Sequence, residues 1–164
     1  MKTLLILRHA KSNWNHPGLA DHDRPLNKRG KRDAPKMGQL LLDESLLPDL
    51  IISSTAKRAR ETAGRIARAS GYEGPVVETR DLYHAFPEDH LSVLKNHAGK
   101  NERVMIVAHN PGLEELLQTL TGQVTRLPTA TLAQVTLPID HWPDLTLETK
   151  GTLVNLWRPK ELAG

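Results

Sequence analysis

The chain has 164 residues, of which 38% are hydrophobic and 25% charged, the balance of one folded domain and not of a disordered polymer. Cysteine is absent, which excludes disulfides, thiolate catalysis and Cys-ligated metal centres. Lys and Arg number 22 against 19 acids, yet Arg24 to Arg68 alone carries eleven basic and five acidic side chains, a local field that attracts anions such as phosphorylated molecules or nucleic acid.

Thr3–Arg8 is short and continuously apolar and predicts a buried strand. The run stops at Arg8, far below the roughly 20 residues of a membrane span. His9 to Pro25 has the Asn, Asp, Pro and Gly content of a loop. A helix is expected from about Asn27 to Glu44, with Pro35 either kinking it or opening its main body. Asp49–Ser53 is a second strand, and Ala56–Ser70 an Ala/Arg-rich helix stopped by Gly71. Val76–Glu78 predicts a short strand, Glu88–His97 a helix and Arg103–Ala108 another buried strand. Pro111 suits the first turn of a helix that ends near Gly122. Ala130–Leu137 and Thr152–Trp157 are strands joined by a Pro-containing loop. This alternation predicts a single-domain α/β fold with a mostly parallel central sheet flanked by helices.

Ligands of such a sheet bind at the carboxyl ends of its strands. The residues there are Arg8 and His9 after the first strand, Ser54, Lys57 and Arg58 after the second, and His109 and Asn110 after Arg103–Ala108. Two arginines and two histidines at one edge suit phosphoryl transfer. The planar guanidinium binds phosphate oxygens by two hydrogen bonds and stays charged. A neutral imidazole can attack phosphorus, and a second histidine can donate to the oxygens where charge gathers.

Arg8-His9-Ala10 resembles the Arg-His-Gly signature of the histidine phosphatase superfamily, which includes phosphoglycerate mutases. Ser12 to Asn15 resembles its Ser-x-Trp-Asn extension, and Arg24-Pro25-Leu26 with Gly30 its Pro-Leu-x-x-x-Gly segment. Ser54 to Ala63 resembles its Ser-x-x-x-Arg-Ala-x-x-Thr-Ala block, and Val107 to Asn110 the strand end that carries the second histidine. These stretches span most of the chain in order and look closest to short SixA-type phosphohistidine phosphatases. The resemblance implies a phosphoglycerate mutase-like fold and a nucleophilic His9. It makes Arg8, Arg58 and His109 the holders of the phosphoryl group, with Ser12 and Asn15 in substrate binding. Ala10 departs from the usual glycine. Where many relatives carry a Glu after a Leu-x pair, Leu82-Tyr83 is followed by His84, so His84 and Glu88 are the candidate proton donors.

These expectations make the protein a cytoplasmic phosphatase without cofactor or metal, acting on phosphohistidine proteins or small phosphorylated compounds. His16, Asp21, His22 and Asp23 match no metal-ligand spacing. The scattered Trp14, Trp142 and Trp157 form no base-stacking platform, which argues against nucleic acid. Lys57, Arg60, Arg65 and Arg68 are expected on a solvated helix face. Two alternatives stand beside this reading: a phosphoanion- or nucleic-acid-binding module without turnover, and a phosphomutase. A mutase needs a water-excluding lid, and the segment from Thr79 to Glu102 is too short for a large one.

Overall fold

The computed structural model describes residues 1–162. Strands β1 (Lys2–Arg8), β2 (Leu50–Ser54), β3 (Val76–Thr79) and β4 (Arg103–Ala108) run parallel. Strand β5 (Leu132–Leu137) is antiparallel to β1, and β6 (Thr152–Trp157) is antiparallel to β5. The six form one sheet in the order β3-β2-β4-β1-β5-β6, with the apolar β1 and β4 at its centre. Leu4 and Ile6 face one core cluster and Leu5 and Leu7 the other. A strand buried on both faces has no polar side to alternate, which explains its unbroken apolar run.

Helices α1 (Lys28–Asp43) and α2 (Lys57–Ser70) cover one face of the sheet, and α3 (Pro87–His97) and α4 (Gly112–Thr121) the other. On α2, Ala59, Thr62, Ala63 and Ile66 are buried at helical spacing, while Lys57, Arg60 and Arg68 face solvent. Gly71, at φ 74°, ends the helix in the left-handed conformation that only glycine adopts without strain. No helix among the described residues is long and apolar enough to cross a membrane.

Some boundaries match the sequence expectation to within a residue, and others differ. Helix α1 continues through Pro35 without a break, and Asn27 caps it by accepting from the Gly30 N–H at 2.9 Å. Helix α3 begins one residue early because Pro87, lacking an N–H, suits the first helical position. Pro111 lies just before α4 instead of in its first turn. Ala130, expected in a strand, has φ 60° and donates its N–H to the carbonyls of Arg8 and His9, both at 3.1 Å. It is a turn over the end of β1.

Gly38 marks the closest approach of α1 to α2. A Cβ there would lie 2.7 Å from Ala69 Cβ and 2.9 Å from the Ile66 carbonyl oxygen. Gly38→Ala gains about 1 kcal/mol of helix propensity, but forcing two packed helices apart costs about 1–3 kcal/mol. A net loss of stability is expected, read as a lower urea midpoint with an unchanged m-value.

Candidate active site

The register of the central strands assembles the site. Arg8 pairs with Ala108 across β1–β4, and Ser53 with Val107 across β2–β4. His9, His109 and Ser54 therefore leave the sheet as neighbours at its carboxyl edge. The His9 N–H donates to the Ala108 carbonyl at 3.1 Å, and the His9 and His109 ring centroids are 5.1 Å apart. Arg58, only 5% exposed, enters from the first turn of α2. Thr62, one turn further on, ties α2 to the loop after β1 by accepting from the Ala10 N–H at 3.0 Å.

Local hydrogen bonds fix the histidine protons. His9 Nδ1 lies 2.7 Å from the Ala10 carbonyl oxygen, which can only accept, so Nδ1 carries the hydrogen and Nε2 keeps its lone pair. Burial, with Arg58, Arg8 and Arg24 adding to it, lowers the His9 pKa to about 3 despite the opposing bond to Ala10. His9 is thus neutral at pH 7. His109 Nε2 meets Ser54 Oγ at 2.8 Å, and that oxygen already accepts from the Ala56 N–H at 3.2 Å. When the Ser54 hydroxyl donates to His109 Nε2, the ring's own proton sits on Nδ1. Burial, His9 and Arg58 also push the His109 pKa far down.

Three polar groups of this cluster are buried without a protein partner: Arg8 Nε, Arg58 Nε and His109 Nδ1. Unpaired buried donors are costly and cluster at working sites. The other ends of both arginines are anchored. Arg8 Nη1 donates to the Leu127 carbonyl at 3.1 Å, itself bonded by Asn110 Nδ2 at 2.8 Å, while Glu114 accepts from the Leu127 N–H at 2.7 Å. Arg58 Nη1 donates to the Asp21 carbonyl oxygen at 2.7 Å and Nη2 to Asp21 Oδ2 at 3.0 Å.

Asp21 is the residue that motif reading missed. Its carboxylate also accepts from Tyr83 OH at 2.6 Å and Arg24 Nε at 3.1 Å. Burial opposes its charge, but the bonds from Tyr83, Arg58 and Arg24 win and hold its pKa well below the usual carboxylate range. Its sequence neighbourhood drew attention only as a metal-ligand set. The signal available was its place three residues before the Arg-Pro-Leu segment.

The remaining predicted residues fall in different places. Ser12 is buried and accepts from Arg24 Nη1 at 2.6 Å. Asn15 is exposed on the loop after β1, beside Trp14, whose ring lies 3.5 Å from the Arg24 guanidinium. His84 is exposed at φ 56° and stacks on Tyr83, with ring centroids 4.0 Å apart. With His109, Phe86 and Glu115 it lines a cavity of about 200 Å³. Glu88 is exposed on the first turn of α3 and does not line that cavity. Glu115, absent from the sequence-derived candidates, does.

The sequence profile of the histidine phosphatase superfamily (branch 1) matches residues 4–84. The crystal structure of SixA from Agrobacterium tumefaciens, a candidate phosphohistidine phosphatase, is 31% identical and superposes with a TM-score of 0.82, covering 96% of this chain and 98% of that one. An uncharacterised protein of Mycobacterium leprae is 33% identical over 156 residues, 87% of this chain and 94% of its own length. A 2,3-bisphosphoglycerate-dependent phosphoglycerate mutase of Streptomyces avermitilis is 44% identical over 62 residues, but these cover 37% of this chain and 24% of the mutase. Full-length likeness in sequence and fold, together with the paired histidines and arginines at the sheet's carboxyl edge, places the chain in the histidine phosphatase superfamily.

Proposed function

We propose that the protein is a metal-independent phosphatase that works through a phosphorylated His9 and acts on phosphohistidine proteins or small phosphorylated compounds in the cytoplasm. The observation that carries this reading is the free lone pair of His9 Nε2 in a cluster where Arg8 Nε, Arg58 Nε and His109 Nδ1 are buried without a protein partner. The lone pair attacks phosphorus in line. A P–N bond forms, the bond to the leaving group breaks, and the leaving group departs with the electron pair. Arg8, Arg58 and His109 stabilise the charge spread over the three equatorial oxygens. Water then attacks phospho-His9: a P–O bond forms, the P–N bond breaks with its electron pair returning to Nε2, and a proton of the attacking water passes to solvent as phosphate leaves neutral His9. The β3–β4 connection consists of one short 3-10 turn and α3, with no inserted lid, which favours transfer to water over a mutase. Hydrolysis of an aryl phosphate in EDTA tests the reading. Activity that vanishes in EDTA refutes metal independence, and salt-sensitive RNA binding without turnover refutes the enzyme.

The cavity beside His109 bears on substrate class. An alkoxide leaving group needs a proton in the transition state, help typically worth a hundredfold or more. Imidazole leaves as a neutral ring once its distal nitrogen is protonated, so it needs less. Among the carboxyl groups nearest the two histidines, Asp21 is held ionised and Glu88 and Glu115 are exposed, so none is a buried, protonated donor. Phosphohistidine and phosphoramidate are therefore expected to react at least about a hundredfold faster than alkyl phosphates, compared as kcat/KM under one condition. Equal rates, with Glu115→Gln or His84→Ala selectively slowing the alkyl ester, would reverse the assignment.

A further inference from the structure

We infer that Asp21 is the positioning residue of the phosphoryl-binding arginine, holding the terminal nitrogens of Arg58 so that its Nε edge faces the transferred group, with Tyr83 locking Asp21 in turn. The inference rests on the phosphatase reading and adds to it a residue that touches no reacting atom.

The guanidinium offers two two-hydrogen edges: the end formed by Nη1 and Nη2, and the side formed by Nε and the remaining Nη2 hydrogen. Asp21 takes the end edge twice, through its carbonyl oxygen and Oδ2. That leaves the side edge, where Nε is buried and unpartnered. Arg8 repeats the pattern, with Nη1 held by a main-chain carbonyl and Nε unpartnered. Both arginines thus have their outer end fixed by the protein and the same edge unspent.

The opposite reading makes Asp21 a stand-in for substrate, occupying Arg58 until phosphate displaces it. The number of bonds argues against that. Displacing Asp21 would break contacts to Arg24, Arg58 and Tyr83 together. Arg24 is itself anchored on Ser12 and covered by Trp14. Two arginines and one aspartate leave the triad with a net positive charge, so the pocket still attracts a phosphoryl group. Tyr83 also lies edge-on to His109, with ring centroids 5.5 Å apart, so this lock borders both phosphoryl-binding side chains.

The test uses Asp21→Asn, Asp21→Ala and Tyr83→Phe, with tungstate as the phosphoryl probe and an aryl phosphate as substrate. Tyr83→Phe removes one hydroxyl from a partly exposed ring, which keeps the test usable if the Asp21 variants fold poorly. Tungstate affinity and kcat/KM are expected to fall about 10- to 100-fold for the Asp21 variants and about 3- to 10-fold for Tyr83→Phe. Combining Asp21→Ala with Arg58→Ala should cost little beyond Arg58→Ala alone, because a positioning residue has nothing left to position. A purely structural residue would give additive losses that track the melting temperature, and that result overturns the inference. Tighter tungstate binding by Asp21→Asn would establish the stand-in reading and overturn it as well. A wild-type protein that neither binds tungstate nor turns over refutes the phosphatase reading and this one with it. Normal wild-type turnover with unaffected variants refutes only the role of Asp21.

Discussion

His9→Ala is expected to eliminate turnover, with a fall on the order of 10⁴-fold or more in kcat. The size follows from what remains. Without the imidazole no P–N bond forms, and water must attack the substrate directly with no base placed for it. Arg8, Arg58 and His109 keep their anchors on Leu127, Asp21 and Ser54, none of which involves the His9 side chain. Tungstate should therefore bind the variant within about tenfold of wild type, since removing one partner need not disturb anchored donors. Loss of a single donor through Arg58→Ala should instead cost about 10²- to 10³-fold in rate and weaken tungstate in step. Arg58→Lys should rescue little of it, since an ammonium has neither the fork that bonds Asp21 nor an Nε edge. Chemical trapping completes the test. Radiolabelled substrate quenched in base should leave label on the wild type and none on His9→Ala. Label retained by the variant would place the nucleophile elsewhere.

Much of this site was legible because it is carried by strand ends, and strand ends can be read from apolar runs. Leu4–Leu7 and Val104–Val107 mark the central strands, and the parallel register then sets His9 beside His109 with no further information. Arg58 was separable from its basic neighbours by motif position, and burial accounts for the difference, since Lys57 and Arg60 point outward from the same turn. The antiparallel direction of β5 was not legible, because strand propensity contains no sign. Asp21 was hidden for a similar reason. Its partners Arg58 and Tyr83 lie 37 and 62 residues away, so the bonds that define it exist only after the loop folds back over α2. Glu115 sits on an outward stripe of α4 that reads as ordinary solvated surface until the cavity beside His109 is seen.

The same arrangement should make the fold sensitive to mild acid. His9, His90 and His109 are all held neutral chiefly by burial, and His90 Nε2 is buried without a partner. In the unfolded chain each returns to a pKa near 6.5. Above that value both states are neutral and these groups give no pH dependence. As pH falls below it, the unfolded chain binds protons that the native state refuses, so stability is lost continuously down to the native pKa, about 3 for His9. Each group contributes a slope of at most about 1.4 kcal/mol per pH unit, or about 2 kcal/mol from His9 alone between pH 6.5 and pH 5. Asp21 adds nothing in this window. Its native pKa is depressed, so its contribution is intact above the ordinary carboxylate pKa and declines only in stronger acid. Urea denaturation at pH 7, 6 and 5 should show a steep fall in stability, against a typical total of about 5–15 kcal/mol. His9→Gln removes one of the refused protons, so its stability should fall less steeply than the wild type's between pH 7 and pH 5. The neutrality of His9 and the acid sensitivity of the fold share one cause, the burial that keeps His9 Nε2 unprotonated. Equal slopes for wild type and variant would mean that His9 takes up its proton in the folded state near pH 6.5, and the active-site histidine would then be far better solvated than its 6% exposure implies.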